Sequence, residues 1–339
     1  MAPKRRLTKR QKARIRSIQH KRAKRAIAHS HAAESVPEQR LGPEQPGLVI
    51  SHHGATVMVE GAAGALWRCS VRRNLGSLVC GDRVAWQPAD EREGVVVALL
   101  PRHSLLLRPQ PGGRGKPVAA NIEQIVVVAA VEPELSEHLI DRYLVTAETT
   151  GIAPVIVVNK VELLDAGGRR DLERRLATYR QLGYPVLLVS VKADHGLDPL
   201  LAQLQGHTSI LVGQSGVGKS SLVKALLPER EIRVAALSEA RHGRHTTTTT
   251  VLYHLPCGGD LIDSPGVRDF GVWHIATDDV AHGFVEFRPL LGHCKFSDCS
   301  HRHEPGCALR QAAEAGRIDP QRLQSYLNMM EEIRLNPRP

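Results

Sequence analysis

From Gly47 the chain breaks into short apolar runs separated by turn residues: LVISHHGATVMVEG, ALWRCSVRR, DRVAWQP, GVVVALLPR and SLLLRP. Runs of strand length at this spacing predict a five-stranded barrel of the OB type. Further on the pattern changes. IVVVAAV, VIVVN, VLLVS and ILVG are continuous apolar runs alternating with helical segments, which predicts a mostly parallel sheet covered on both faces. A C-terminal helix is expected around Pro320 to Leu335. Polar, Pro-containing Ala32 to Pro46 reads as a linker, and PQPGGRGKP (Pro109 to Pro117) as a second, mobile one. The expected organisation is multidomain: arm and linker (1–46), OB-fold barrel (47–112), α/β domain (113–283) and a small C-terminal α module (284–339). A chain of 339 residues has room for two or three cores.

One junction in the α/β part carries clear chemistry. Ile210, Leu211 and Val212 read as a strand, Gly213 to Gly218 as a turn, and SSLVKALL as the start of a helix, so GQSGVGKSS (Gly213 to Ser221) meets the strand–loop–helix requirement of a phosphate-binding loop. Its glycines let the backbone N–H groups of Gln214, Ser215, Gly216, Val217 and Gly218 turn toward phosphate oxygens at a helix N-terminus. Lys219 is expected at the β/γ-phosphates, and Ser220, followed by Ser221, offers a hydroxyl to Mg²⁺.

The base-reading motif comes first, not after. In PVIVVNKVELL, Asn159, Lys160, Val161 and Glu162 follow a strand, where ligands bind in open α/β sheets. In such NKxD-type loops the asparagine holds loop and purine and the lysine stem covers the base. A carboxylate then accepts two hydrogen bonds that guanine offers and adenine does not. Glu162 is one methylene longer than the usual aspartate, and Asp165 is too far along the chain to replace it. SVKADHG (Ser190 to Gly196), after another apolar strand, is the loop expected to touch the base through its backbone.

Downstream of the phosphate loop lie the switch candidates. LIDSPG ends a strand with Asp263 placed to reach Mg²⁺ through water and Gly266 able to turn its N–H to a γ-phosphate. In the polar RHGRHTTTTT segment one of Thr246 to Thr248, with Thr248 the candidate, is expected to contact Mg²⁺ or the γ-phosphate. Where many GTPases place a water-orienting Gln after this glycine the chain has Val267, which cannot hydrogen-bond water. His245 is the candidate for that catalytic task, ordered by a partner, and intrinsic turnover is expected to be slow.

The order NKVE, SVK, GQSGVGKSS, GRHTTT, DSPGVRDF resembles the circularly permuted GTPases that assemble the small ribosomal subunit, the RsgA or YjeQ family, from about residue 47 to the C-terminus. The resemblance implies an OB-fold, a permuted P-loop GTPase domain and a C-terminal zinc domain. It also implies GTP hydrolysis stimulated on the small (30S) subunit during late maturation, with 16S rRNA as partner and a monomer as the working form. Glu162 departs from the family pattern.

Cys294, Cys299, His301 and Cys307 form C-x4-C-x-H-x5-C, enough soft ligands for a closed tetrahedral zinc site. His293 and His303 lie nearby, and His301 is the one that fits the family pattern. Cys69, Cys80 and Cys257 are scattered in apolar contexts and read as packed residues. The short connection from Gly266 to Cys294 suggests that loss of γ-phosphate repositions the zinc module.

Charge points to the partner. The first 33 residues hold twelve basic and no acidic side chains while the whole chain is +10, so the basicity belongs to one arm suited to phosphate neutralisation on nucleic acid. Arg72, Arg73, Arg102 and Arg108 are candidate barrel contacts to RNA, whereas Trp67 and Trp86 read as core. No stretch is long and apolar enough to span a membrane, and a cytoplasmic location is expected. An ATP-dependent RNA remodeller, or an RNA-binding scaffold in which nucleotide is only structural, are the alternatives to a GTPase.

Overall fold

The computed structural model describes residues 41–89, 92–108, 115–228, 250–263 and 277–335. Cα packing divides the chain into two compact units, one of residues up to Leu78 with Arg83–Leu100, the other of Val79–Asp82 with Pro101 onward.

The first unit is a five-stranded, OB-like barrel. Its strands are β1 (Gln45–His53), β2 (Thr56–Glu60), β3 (Leu66–Val71), β4 (Arg83–Pro88) and β5 (Glu93–Leu99). They run in the order β1-β2-β3-β5-β4, and β4 pairs back onto β1 to close the ring. Closure removes the exposed edges that an open sheet would present. The wall is filled by Val49, Val57, Val59, Val84, Val96 and above all Trp86, which is fully buried. Gly47 and Gly61 make room for it: a Cβ on either would lie 2.7 or 2.9 Å from the indole ring. The indole N–H donates to Pro46 O at 3.2 Å, and Trp67 packs against it with centroids 5.1 Å apart. Gln45 and Pro46, assigned to the linker on sequence, already pair with Trp86 and Ala85.

Two sequence expectations change just beyond the barrel. The SLLLRP run does not join it; β6 (Leu105–Arg108) pairs instead with β7 (Lys116–Ala120) in a separate ribbon. Lys116 and Pro117, read as linker, are therefore strand, while 109–114 lie outside the described residues. Arg102 is not a free RNA contact either. Its guanidinium holds the fully buried Asp82 carboxylate through two bonds of 2.6 and 2.8 Å.

The second unit is built on a sheet whose strands run β10-β9-β8-β11-β13-β12. Strands β8 (Gln124–Ala130), β9 (Ala153–Asn159), β10 (Val186–Leu188), β11 (Thr208–Val212) and β13 (Asp260–Asp263) are mutually parallel, and β12 (Val251–His254) is antiparallel to β13. Every residue of β8 is buried, as a central strand covered on both faces requires. Helix α1 (Glu137–Thr150) packs on β8 and β9, while α2 (Ala166–Gln181) and α3 (Asp198–Leu204) pack on β10. Val126, Val128, Val155 and Val157 share a core with Leu200, Leu204 and, from α4 (Lys219–Leu226), Leu222 and Leu226.

The C-terminal module comprises α5 (Thr277–His282), a 3-10 turn (Val285–Leu290), α6 (Ala308–Glu314) and α7 (Pro320–Leu335), the last spanning the residues expected from sequence. Phe284 and Phe287 stack at 4.7 Å, and Tyr326 meets both edge-on. Val145 of α1 enters this cluster, and Gly283 permits the approach, since a Cβ there would sit 2.7 Å from Val145 Cγ1. At the same joint Arg322 is buried. It donates to Asp141 at 2.6 Å and to both Glu286 oxygens at 2.7 and 3.0 Å, with its guanidinium 4.5 Å from the Phe284 ring centroid. Tyr179 of α2 donates to the same Asp141 oxygen at 2.8 Å. Burial pushes the Asp141 carboxyl above its usual range despite the pull of Arg322, Ser325 and Tyr179.

Removing the cation would strand two carboxylates. Arg322→Ala is expected to cost about 3–5 kcal/mol, the range for breaking a buried pair from one side. Urea unfolding followed by Tyr fluorescence measures it; a loss under about 1 kcal/mol would mean that water already reaches the site.

Candidate nucleotide and metal sites

Among the described residues, four of the nucleotide motifs leave the same end of the parallel strands. The phosphate loop follows β11, NKVE follows β9, SVKADHG follows β10, and Asp263 closes β13. The motifs that the chain separates are therefore brought together by the strand order.

Two glycines set how closely. A Cβ at Gly213 would lie 2.1 Å from Val128 O, so the loop leaves β11 pressed against β8. Gly218 has φ +94, and a Cβ there would lie 2.4 Å from Asn159 Nδ2. Gly218 also caps α4, accepting from Leu222 N at 2.9 Å. Val217 is buried as the loop's anchor, whereas Gln214, Ser215, Gly216, Ser220 and Ser221 are exposed. Lys219 Nζ donates to Gly213 O and Gln214 O, both at 2.6 Å.

The base motif is tied directly to this loop. Asn159 is buried; its Nδ2 donates to Val217 O at 3.0 Å, while its Oδ1 is buried without a hydrogen-bond partner. Lys160, in the left-handed region at φ 65, stretches Nζ to Gly216 O at 2.9 Å and Glu132 O at 2.5 Å. Val161 N donates to Val189 O at 3.3 Å, which fastens the motif to the strand before the SVK loop. Glu162 is exposed. Its slight burial would raise the carboxyl, but the Ser190 hydroxyl, its own backbone N–H, Lys192 and Lys160 together bring it below the usual range.

Two participants escaped the sequence reading. Ser190 acts through its side chain and not only through backbone: its Oγ accepts from Lys192 N at 3.2 Å and Ala193 N at 3.1 Å, and its hydroxyl is among the groups that hold Glu162 below the usual range. The segment after β8 is the other. Glu132 lends its carbonyl to Lys160, and the Pro133 ring lies 3.6 Å from where a Gly216 Cβ would be. The serine was legible as the first residue of the SVK motif; nothing in the segment's own composition marks it. His245, Thr248 and Gly266 lie outside the described residues, as does Val267.

The second site is in the C-terminal module. The ligand atoms of Cys294, Cys299, His301 and Cys307 all lie within 4.8 Å of one another. His301 Nδ1 is 3.5 Å from Cys294 Sγ and 3.4 Å from Cys307 Sγ. A tetrahedral Zn²⁺ with ordinary Zn–S and Zn–N bonds separates sulfur from nitrogen by about 3.5 Å, so the donor set fits that ion. Burial and the neighbouring Cys307 and Cys294 thiols push Cys299 up to about 12, and burial lowers His301. Crowded thiols that resist ionisation are what a dication relieves. Glu304 ties the loop from within, accepting from the backbone N–H groups of Ser300, Arg302 and His303 at 3.0, 3.1 and 3.2 Å and from the Ser300 hydroxyl. Cys69 and Cys80 are buried, and burial raises both thiols, Cys69 to about 12; Cys257 is only partly buried.

A phosphate loop, a base-reading loop on the neighbouring strands and a sheet in which the base half precedes the phosphate half define a circularly permuted P-loop GTPase. Comparison with known proteins agrees. The chain belongs to the RsgA GTPase family, whose model matches residues 99–273. A protein of Ectopseudomonas mendocina named small ribosomal subunit biogenesis GTPase RsgA is 53% identical over 336 residues, covering 97% of this chain and 98% of its own. One of that name from Azotobacter vinelandii is 52% identical over 336 residues, with the same coverage. Among solved structures, YjeQ from Thermotoga maritima superposes with TM-score 0.71 at 34% identity, over 86% of this chain and 99% of its own. YloQ, titled a circularly permuted GTPase, gives 0.69 at 29% identity, over 87% and 96%.

A methyl at Gly218 would meet both unfavourable φ and the Asn159 amide. Gly218→Ala is expected to weaken GDP binding by about tenfold, since a strained left-handed residue costs roughly 1–2 kcal/mol. Titration with a fluorescent GDP analogue tests this, with circular dichroism unchanged; wild-type affinity would contradict the close approach.

Proposed function

We propose that the chain hydrolyses GTP on the small (30S) ribosomal subunit during its late maturation, contacting 16S rRNA, as a cytoplasmic monomer. The observation that carries the nucleotide assignment is the pair of ties from Asn159 to Val217 and from Lys160 to Gly216, which join base and phosphate loops into one cradle. In this reading Gly213 to Ser221 surround the phosphates with backbone N–H groups, and Lys219 leaves its loop carbonyls for the β/γ-phosphates. Asn159, Lys160, Val161 and Glu162 hold guanine. Ser220 and Asp263 hold Mg²⁺, which supplies charge neutralisation on the phosphates. Thr248 and Gly266 face the γ-phosphate, and His245 orients water. The ribosomal part rests on the names of the relatives and on the twelve basic side chains of the arm. No helix among the described residues is long and apolar enough to cross a membrane.

The proposed division is an arm (1–46), barrel (47–112), GTPase domain (113–283) and zinc module (284–339). Cys294, Cys299, His301 and Cys307 hold one structural Zn²⁺, with no position left for water.

Phosphate release assayed with isolated small subunits is expected to be stimulated in wild type and abolished in Lys219→Ala. Glu162→Ala should lose about 2 kcal/mol of its preference for GTP over ATP, the order of a charge-assisted hydrogen bond. Absence of stimulation would remove the ribosomal reading, and an unchanged preference the role of Glu162.

Zinc assayed by atomic emission should equal the chain on a molar basis. Stripping it with a chelator should lower the melting temperature and release the helical signal of the C-terminal module. Unchanged melting after metal removal would contradict a structural ion.

A further inference from the structure

The C-terminal module closes its core without one of its aromatic rings. Phe284, Phe287 and Tyr326 pack on one another together with Leu309 and Met329. Phe296 lies outside that cluster and is 41% exposed, the one exposed aromatic side chain among the described residues. Leaving that share of the ring in water forfeits roughly 1 kcal/mol of burial.

Its backbone, in contrast, is held. Phe296 stands between Cys294 and Cys299, and its neighbour Lys295 donates its N–H to Gly306 O at 3.0 Å across the loop. Gly306 allows this closeness, since a Cβ there would come 2.9 Å from Lys295 Cβ. Lys295 Nζ is 5.6 Å from the Phe296 ring centroid. Glu304 is turned inward and spent on the loop's own donors, and Arg302 is engaged with Glu331. What faces outward beside the ring is Lys295, Ser297 and Asp298, a polar surround and not the apolar rim of a protein-binding hot spot.

We propose that Phe296 is a stacking platform for an unpaired base of RNA, with Lys295 reaching the adjoining phosphate. An exposed ring on a loop tied by backbone, with a lysine over it that an adjoining phosphate can draw away, is the pairing that single-stranded nucleic acid exploits, because every base has a π-face and every nucleotide a phosphate. The proposal rests on the RNA-associated reading above and adds the site and the state of the RNA.

The test uses the full-length, zinc-loaded protein with Phe296→Ala and Phe296→Tyr. Binding to a short fluorescein-labelled oligoadenylate is followed by anisotropy at low and high salt, and binding to purified small subunits by sedimentation. Phe296→Ala should weaken oligoadenylate binding about tenfold, within the range for one stacked base. Phe296→Tyr should restore it, while zinc content and basal GTP turnover stay unchanged. The ratio should persist at high salt, which suppresses phosphate contacts and the basic arm but not stacking. Oligoadenylate affinity equal to wild type would overturn the proposal. So would a loss seen with small subunits but not with oligoadenylate, which would point to a protein partner. If the wild-type protein fails to sediment with small subunits, the ribosomal reading falls, and the oligoadenylate result still decides the role of Phe296.

Discussion

The nucleotide site depends on the near contact of the phosphate-loop backbone with strands that precede it by some fifty to ninety residues. Gly213 lies against Val128 O, where a Cβ would meet backbone at 2.1 Å, and Gly218 against the Asn159 side-chain amide, which a Cβ would have to displace. Once those approaches are made, Asn159 can reach Val217 and Lys160 can reach Gly216, and the cradle has base and phosphate halves at fixed distance. Chain order does not enter. The strand order β10-β9-β8-β11-β13-β12 puts β8 and β9 beside β11 whichever is made first, so permutation moves the termini and leaves the site whole.

The C-terminal module is joined to the other flank of this arrangement. Arg322 and Tyr326 of α7, with Glu286 and Phe284 before it, meet Asp141 and Val145 of α1 and Tyr179 of α2. A buried guanidinium shared by two carboxylates adds little net stability, because desolvation offsets most of the attraction, but it penalises any docking that separates the three. The observed contacts thus run to α1, whose preceding segment supplies Glu132 O to Lys160 and sets Pro133 beside Gly216. The contacts among the described residues connect the module to the base half, while the DSPG link expected from sequence runs through residues 264–276, outside the described residues.

Legibility followed locality. The phosphate loop, NKVE, the parallel strands after residue 120, α7 and the Cys/His spacing are written in contiguous residues, and the structure forms each of these elements there, adding the antiparallel β12 that the pattern had not indicated. Interactions between distant residues were not readable. Arg102 looks like any surface arginine until Asp82 is found beneath it, and nothing in RLQSY marks Arg322 as buried. Leu105–Arg108 has the same strand pattern as its predecessors, but the ring had already closed through β1 and β4, so its hydrogen bonds go to β7.

Glu162 shows how a departure from motif is absorbed by its surroundings. The added methylene lengthens the arm that should meet the base, and a freely rotating glutamate would lose more rotamer entropy on ordering than an aspartate. Here the Ser190 hydroxyl, a backbone N–H and the Lys192 and Lys160 cations act on one carboxylate and favour its ionised form. Ser190 is itself buried and fixed by the N–H groups of Lys192 and Ala193. An ionised carboxylate can only accept. It suits the paired N–H donors of guanine and leaves the ring-nitrogen acceptor of adenine facing another acceptor. In the proposed role this charge state suits guanine as much as the side-chain length does, and the serine's contribution is to the position of a carboxylate that is ionised at neutral pH in any case.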